Sequence, residues 1–255
     1  MFSIWLVTPT SEKSSENEVR KVLTRFKPYK SPLELERVGS GHDGGYLIPK
    51  DLSGVKALFS PGVGDNIEFD LEIANRGIPV YLADNSVDLD ASNLPLVSFR
   101  KQHLAVKDSL NEITLGSWME LSGFDSNSNE SFMLQMDIEG AEWEIGKNLD
   151  SQTLGRFKII LVEVHELQRI CTKVGLEEVS SWFDRLSGTH KIVNAHVNNG
   201  DLPVPYRGIL IPPLVELVFL RDDCFSELED EIEIPHPLES PNDRSFKQTL
   251  LSFWG

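Results

Sequence analysis

Carboxylate, imidazole and amide side chains fall directly after apolar runs at several points of this sequence: Asp65, Asp84, Asp137 with Glu139, Glu163 with His165, and His196 with Asn198 and Asn199. If each run is a strand of an open α/β sheet, these residues gather beyond the carboxyl ends of the strands, where such sheets bind ligands. A charge or imidazole left there without a partner costs free energy, which marks it as a candidate for a site. Taken singly, each is equally explained as a satisfied cap, His165 included. Asp137, His165 and His196 follow runs that should be neighbours or near neighbours. Three such groups on one edge could take a proton from a hydroxyl, or hold a divalent cation that lowers the pKa of that hydroxyl. The residue types leave that choice open.

A second constellation is a turn. Ala57 to Phe59 lead into Ser60-Pro-Gly-Val-Gly-Asp65, and Val80-Tyr-Leu-Ala-Asp84 places an acid twenty residues after Gly64. The pattern reads as strand, glycine turn, helix, strand, acid. Gly62 and Gly64 let the backbone pass close to a ligand, and the helix that follows aims free N–H groups at the same place. The Asp84 carboxylate can there accept both hydroxyls of a ribose. Dinucleotide sites want a third glycine three residues after the second, and here that position is Ile67. A bulky residue there favours a ligand with a ribose and no pyrophosphate, of which S-adenosylmethionine is the common one. The plain alternative is an ordinary glycine turn, which the acid at the right distance disfavours.

Capping, periodicity and turn residues give the elements that must position these groups. Ser15-Glu-Asn-Glu18 is a capping box ahead of Val19, Val22, Leu23 and Phe26 at helical spacing, so a packing helix ends before Pro28. Leu35 to Ile48 reads as two extended runs around a glycine-rich loop, either a plain hairpin or a loop that approaches a ligand. Strands are expected at 57–62, 80–84, 97–106, 132–138, 158–164, 191–197 and 214–220. Helices are expected at 66–76, around 118–121, through Ile145 and Leu149, and at 176–186. No helix fits between Asn198 and Pro213, so the last strand should return antiparallel. Seven strands with the last antiparallel and helices on both faces make an α/β, Rossmann-like sheet of the class I methyltransferase arrangement.

At 255 residues without an evident linker, the chain reads as one domain, 1–255. It divides into an N-terminal helical extension (1–36), a core (37–221) and an acidic C-terminal tail (222–255) read as a solvated face. A net charge of −16 argues against nucleic acid or an anionic membrane as partner. Cys171 and Cys224 have no metal-type spacing and suit two reduced thiols and a cytoplasmic location. The apolar run Phe2 to Val7 is too short for a membrane span or a signal-peptide core and reads as an anchor on the domain body.

Several stretches together resemble the FkbM-type methyltransferases: Arg37-Val-Gly with Asp43-Gly-Gly-Tyr46, Ser60-Pro-Gly-Val-Gly-Asp65, Met136-Asp-Ile-Glu-Gly-Ala-Glu-Trp143, Val162-Glu-Val-His-Glu-Leu167, His196-Val-Asn-Asn199 and the strand of Glu216. Proline at position 61 departs from the usual turn. The resemblance implies an S-adenosylmethionine-dependent O-methyltransferase acting on a sugar or glycan hydroxyl. It implies a cofactor cradle at Asp43, Gly62, Gly64, Asp65 and Asp84, and an acceptor site near Asp137, Glu139, His165 and His196. Direct base catalysis is the preferred expectation over a divalent metal, because these blocks do not spell a closed set of metal ligands. A nicotinamide-dependent oxidoreductase, which Ile67 disfavours, and a non-catalytic S-adenosylmethionine-binding module are the alternatives.

Overall fold

The computed structural model describes residues 11–64, 66–230 and 234–245. Asp65 and the apolar runs Phe2 to Val7 and Leu250 to Trp254 lie outside the described residues.

The capping box forms as expected. Ser15 accepts from the Glu18 N–H, the Glu18 side chain accepts from the Ser15 N–H, and helix α1 runs over Glu16–Leu23. The glycine-rich stretch is an antiparallel hairpin of β1 (Leu35–Gly39) and β2 (Gly45–Pro49). The main sheet then takes β3 (Val55–Pro61), β4 (Val80–Ala83), β5 (Val97–Arg100), β6 (Ser131–Met136), β7 (Phe157–Val164), β8 (His190–Val197) and β9 (Val215–Arg221). Its seven strands lie in the order β8-β9-β7-β6-β3-β4-β5. β9 is antiparallel to both β8 and β7, and the other pairs are parallel. The expected α/β sheet with a returning antiparallel strand is therefore present.

Consecutive residues of the inner strands face opposite layers, as a pleated strand requires. Phe59, Leu134 and Ile160 join one buried cluster with Val19, Trp118, Trp143 and Trp182, while Leu58, Met133 and Ile159 join another with Val38, Tyr46, Phe69 and Ile73. Helices α3 (Leu115–Leu121), α4 (Glu142–Asn148), α5 (Ser151–Gly155) and α6 (Lys173–Ser187) belong with the first layer, and α2 (Glu68–Asn75) and the hairpin with the second. On α6 the buried residues Val179, Trp182, Phe183 and Leu186 recur at helical spacing, and Trp182 packs edge-on against Trp143 of α4 and Phe219 of β9.

Two local departures have plain causes. The strand expected over 97–106 stops at Arg100, where Arg100, Lys101 and Gln102 have no buried face to occupy. His103–Leu104 then pairs instead with Glu112–Ile113 in a ribbon of its own. The segment between Asn198 and Pro213, expected as loop, contains a small antiparallel ribbon of Val204–Tyr206 and Ile209–Ile211. Its turn residues Arg207 and Gly208 both have left-handed φ, the conformation that matches strand twist in a two-residue hairpin. No helix among the described residues is long and apolar enough to cross a membrane.

Candidate active site

The chain runs from β3 to β4 and β5 on one side, then returns to place β6 on the other side of β3. The crevice of an open sheet lies at that reversal. The turn after β3 and the loop after β6 meet there: the Asp137 N–H donates to the Pro61 carbonyl at 3.4 Å. A Cβ on Gly62 would lie 1.6 Å from the Asp137 carbonyl oxygen, and Gly62 has a φ of +84°. Glycine is thus demanded by the neighbouring backbone at Gly62, whereas Gly64 (φ +52°) faces open space.

Asp84 meets the turn as its spacing promised, with a contact the sequence did not indicate. Its Oδ2 accepts from the Val63 and Gly64 N–H groups at 3.0 and 3.4 Å, and its Oδ1 accepts from the Ser86 N–H and hydroxyl at 2.7 and 2.6 Å. Burial pushes the Asp84 carboxyl up, but the bonds from Ser86 and the turn outweigh it and hold the group below the usual carboxylate range. The Val63 and Gly64 N–H groups of the turn thus face Asp84, which ties turn and strand end together.

At the ends of β6 and β7 lies the densest titratable group. His165 follows β7, with its Nε2 3.7 Å from Asp137 Oδ1 and 3.6 Å from Glu139 Oε2. Behind it the fully buried Glu142 approaches Nδ1 at 3.2 Å and accepts the His165 backbone N–H at 2.5 Å. The other oxygen of Glu142 accepts from the Gly140 N–H at 2.8 Å, and the Trp143 indole donates to the His165 carbonyl at 2.6 Å. Burial opposes a charge on His165, yet the hydrogen bond and charge of Glu142, with Glu163 and Asp137, push its pKa up to about 10. Burial pushes Asp137 up to about 7, with His165 drawing it down and Glu139, Glu142 and Asp43 adding to the rise.

Beside this group Glu163, Glu216 and His196 stand in register across β7, β9 and β8. Asn198 donates to Glu163 at 2.8 Å and Asn242 to Glu216 at 2.6 Å, and both amides also reach Asp43 of the hairpin loop, at 3.3 and 3.1 Å. Burial holds both glutamates well above the usual range, with other acids adding to the rise. His196 does not join Asp137 and His165. It is buried behind Glu216, bonded through Nε2 to Asn242 at 2.9 Å, and lines neither of the clefts described next. On the edge strand β8, it lies two strands further from the centre than the β7 end that carries His165.

Two clefts open over these elements. One of about 1040 Å³ is walled by the Gly62–Gly64 turn, Asp84, Asp137 and Glu139, and by apolar residues including Leu104, Val106 and Ile145. The other, of about 710 Å³, has Asn198, Asp201, Asn242 and Arg244 in its wall, and Asp43 lines both. Sequence reasoning missed Asp70 in the first cleft. This buried acid of α2 has an oxygen with no hydrogen bond to the described protein, and burial, offset by a bond from Ser60, pushes it up to about 7. It missed the role of Glu142 and the arrival of Asn242 from the tail. An acid opening a helix that buries the adjoining Trp143 and Ile145 was the available signal for Glu142; Asn242 gave none.

The hairpin loop yields a prediction of its own. Gly44 has a φ of +76°, and a Cβ there would lie 2.6 Å from the exposed Asn66 amide, so Gly44→Val should lower apo stability by about 1–2 kcal/mol through the backbone alone. If the loop also covers a bound cofactor, ligand affinity of the folded protein falls as well. Thermal melts with and without ligand separate the two effects, and unchanged affinity would make the loop a plain hairpin.

No family model matches the chain, and no curated protein matches it. What the fold defines is a class: an α/β protein whose seven-stranded mixed sheet resembles the class I methyltransferase topology.

Proposed function

We propose that this chain is an S-adenosylmethionine-dependent O-methyltransferase of the FkbM type, acting on a hydroxyl of a sugar or glycan. The observation that carries the reading is the cleft of about 1040 Å³ at the sheet's reversal, whose wall holds a glycine turn, the buried acid Asp84 and Asp137. The residues fit such a cofactor. Gly64 leaves open space beside Asp84, a ribose hydroxyl there would take the place of the longest of the four bonds Asp84 accepts, the one from the Gly64 N–H at 3.4 Å, and Leu104, Val106 and Ile145 give an apolar wall for a base. The bound cofactor supplies a methyl on a sulfonium, open to in-line displacement by an acceptor oxygen. Asp84 orients it, the apolar wall excludes water, and the second cleft, joined at Asp43, offers amides, carboxylates and a guanidinium to a polyol.

At the acceptor end the chain's residues must remove a proton from a hydroxyl. His165 with a pKa near 10 already carries its proton at neutral pH, so the surroundings argue against the direct-base role expected of it. That leaves Asp137, alone or as a ligand of a divalent cation. The test is calorimetry with S-adenosylhomocysteine and, separately, NADH. Asp84→Ala should weaken S-adenosylhomocysteine by about 1.5–3 kcal/mol, the range for a hydrogen bond to a charged group. Unchanged affinity removes Asp84 from the site, and NADH binding in place of S-adenosylhomocysteine moves the protein to the oxidoreductases.

A further inference from the structure

The geometry points to a divalent cation site formed by Asp137, Glu139 and His165, one that takes Mn²⁺ in preference to Mg²⁺ or Ca²⁺. The inference stands on these residues alone and does not need the methyl-transfer reading. One ligand atom from each residue lies within 4.8 Å of the others. The two carboxylates stand 3.6 and 3.7 Å from Nε2 of the imidazole. Those gaps are too wide for hydrogen bonds, since a proton shared between ring and carboxylate draws the heavy atoms to about 2.7–2.9 Å. Ligand atoms on a shared octahedral ion, each about 2.1–2.2 Å from it and about 90° apart, are about 3.0–3.1 Å from each other, so the two carboxylates need to close by only about 0.6 Å to share one.

An independent feature makes the imidazole a ligand rather than a chance neighbour. Glu142, fully buried, engages Nδ1 at 3.2 Å and is itself fixed by the His165 and Gly140 N–H groups. A carboxylate on one ring nitrogen sets the tautomer and turns the lone pair of the other outward, the arrangement that orients metal-bound histidines. Here Nε2 faces two carboxylates, and an ion bound among them would take the place of the proton that Nε2 carries at neutral pH. Glu139 is brought into place by a left-handed backbone (φ +55°), which a non-glycine residue holds only against a cost. Its side chain is exposed, so it can adjust to an ion, while Asp137 and His165 are held at the strand ends. Two carboxylates with one imidazole suit Mn²⁺, because carboxylates favour hard ions while an imidazole disfavours Mg²⁺ and Ca²⁺.

Manganese chloride is titrated into the full chain with no other ligand, free Mn²⁺ being read by electron paramagnetic resonance, and magnesium chloride is used as competitor. One Mn²⁺ per chain is expected, held at least about tenfold more tightly than Mg²⁺. His165→Gln and Glu139→Gln should each weaken Mn²⁺ about tenfold or more, with melting temperatures of the metal-free variants close to wild type. Glu216→Gln, in the adjacent acid cluster, should retain binding. Absence of Mn²⁺ binding by wild type at millimolar concentration overturns the site. So does wild-type affinity in both His165→Gln and Glu139→Gln, and so does loss in Glu216→Gln alone, which would put the ion among Asp43, Glu163 and Glu216. Because no S-adenosylhomocysteine is present, these outcomes are independent of whether the neighbouring cleft binds it.

Discussion

Asp137→Ala and His165→Ala should each lower methyl transfer by about 100-fold or more while leaving S-adenosylhomocysteine affinity within about threefold. Both side chains stand at the ends of adjacent inner strands, Asp137 in the wall of the cleft and His165 with its Nε2 3.7 Å from Asp137 Oδ1, and neither bonds to Asp84. On the methyl-transfer reading, whether Asp137 takes the proton itself or both residues hold a metal ion, they would act on the acceptor hydroxyl and not on the cofactor. The His165 variant should fold, because Glu142 keeps the backbone N–H groups of residue 165 and Gly140 when the imidazole is gone. Single-turnover assays with a methylated-product readout, paired with calorimetry, make the comparison. Near-normal turnover in both variants with a true acceptor would place the chemistry elsewhere. Equal losses of turnover and cofactor affinity would mean that the group shapes the cofactor cradle instead.

The largest structural effect is expected at Gly62. A methyl group there would lie 1.6 Å from the Asp137 carbonyl oxygen, a backbone atom of the residue that follows β6 and whose N–H bonds to Pro61 at the end of β3. The left-handed φ of +84° adds its own cost for any residue with a Cβ. Overpacking of about 1–3 kcal/mol and about 1–2 kcal/mol of backbone strain together predict that Gly62→Ala destabilises the fold by about 2–5 kcal/mol. Gly64→Ala, with nothing within 4 Å of its Cβ position, should show only the backbone part. Urea unfolding of the two variants in the absence of ligand gives the contrast directly. Equal stabilities would mean that the turn yields freely and that its glycines serve the ligand alone.

Much of the architecture was legible because it is local. The capping box at Ser15 and Glu18 bonds residues three apart, and the apolar spacing on α6 puts Val179, Trp182 and Leu186 on one face whatever the neighbours are. A strand returning without a crossover helix had to run antiparallel, as β9 does. The separation of Gly64 and Asp84 also carried through, since one helix and one parallel strand bring residues so spaced to the same edge.

What the sequence by itself determined was therefore the elements, their order and the edge on which the polar residues gather. Only the tertiary structure decided which of them meet. Periodicity tells which face a residue occupies but not which strand lies beside it. Thus His196, at a strand end like His165, is set behind Glu216 and away from Asp137. The buried carboxylate that fixes His165 comes from a helix 23 residues earlier, and the amide that bridges Asp43 and Glu216 comes from the tail, 199 residues beyond Asp43. Such contacts follow from the packing of whole layers, where burying an acid is tolerable only if a donor arrives from some other part of the chain, and no local pattern records which part that is.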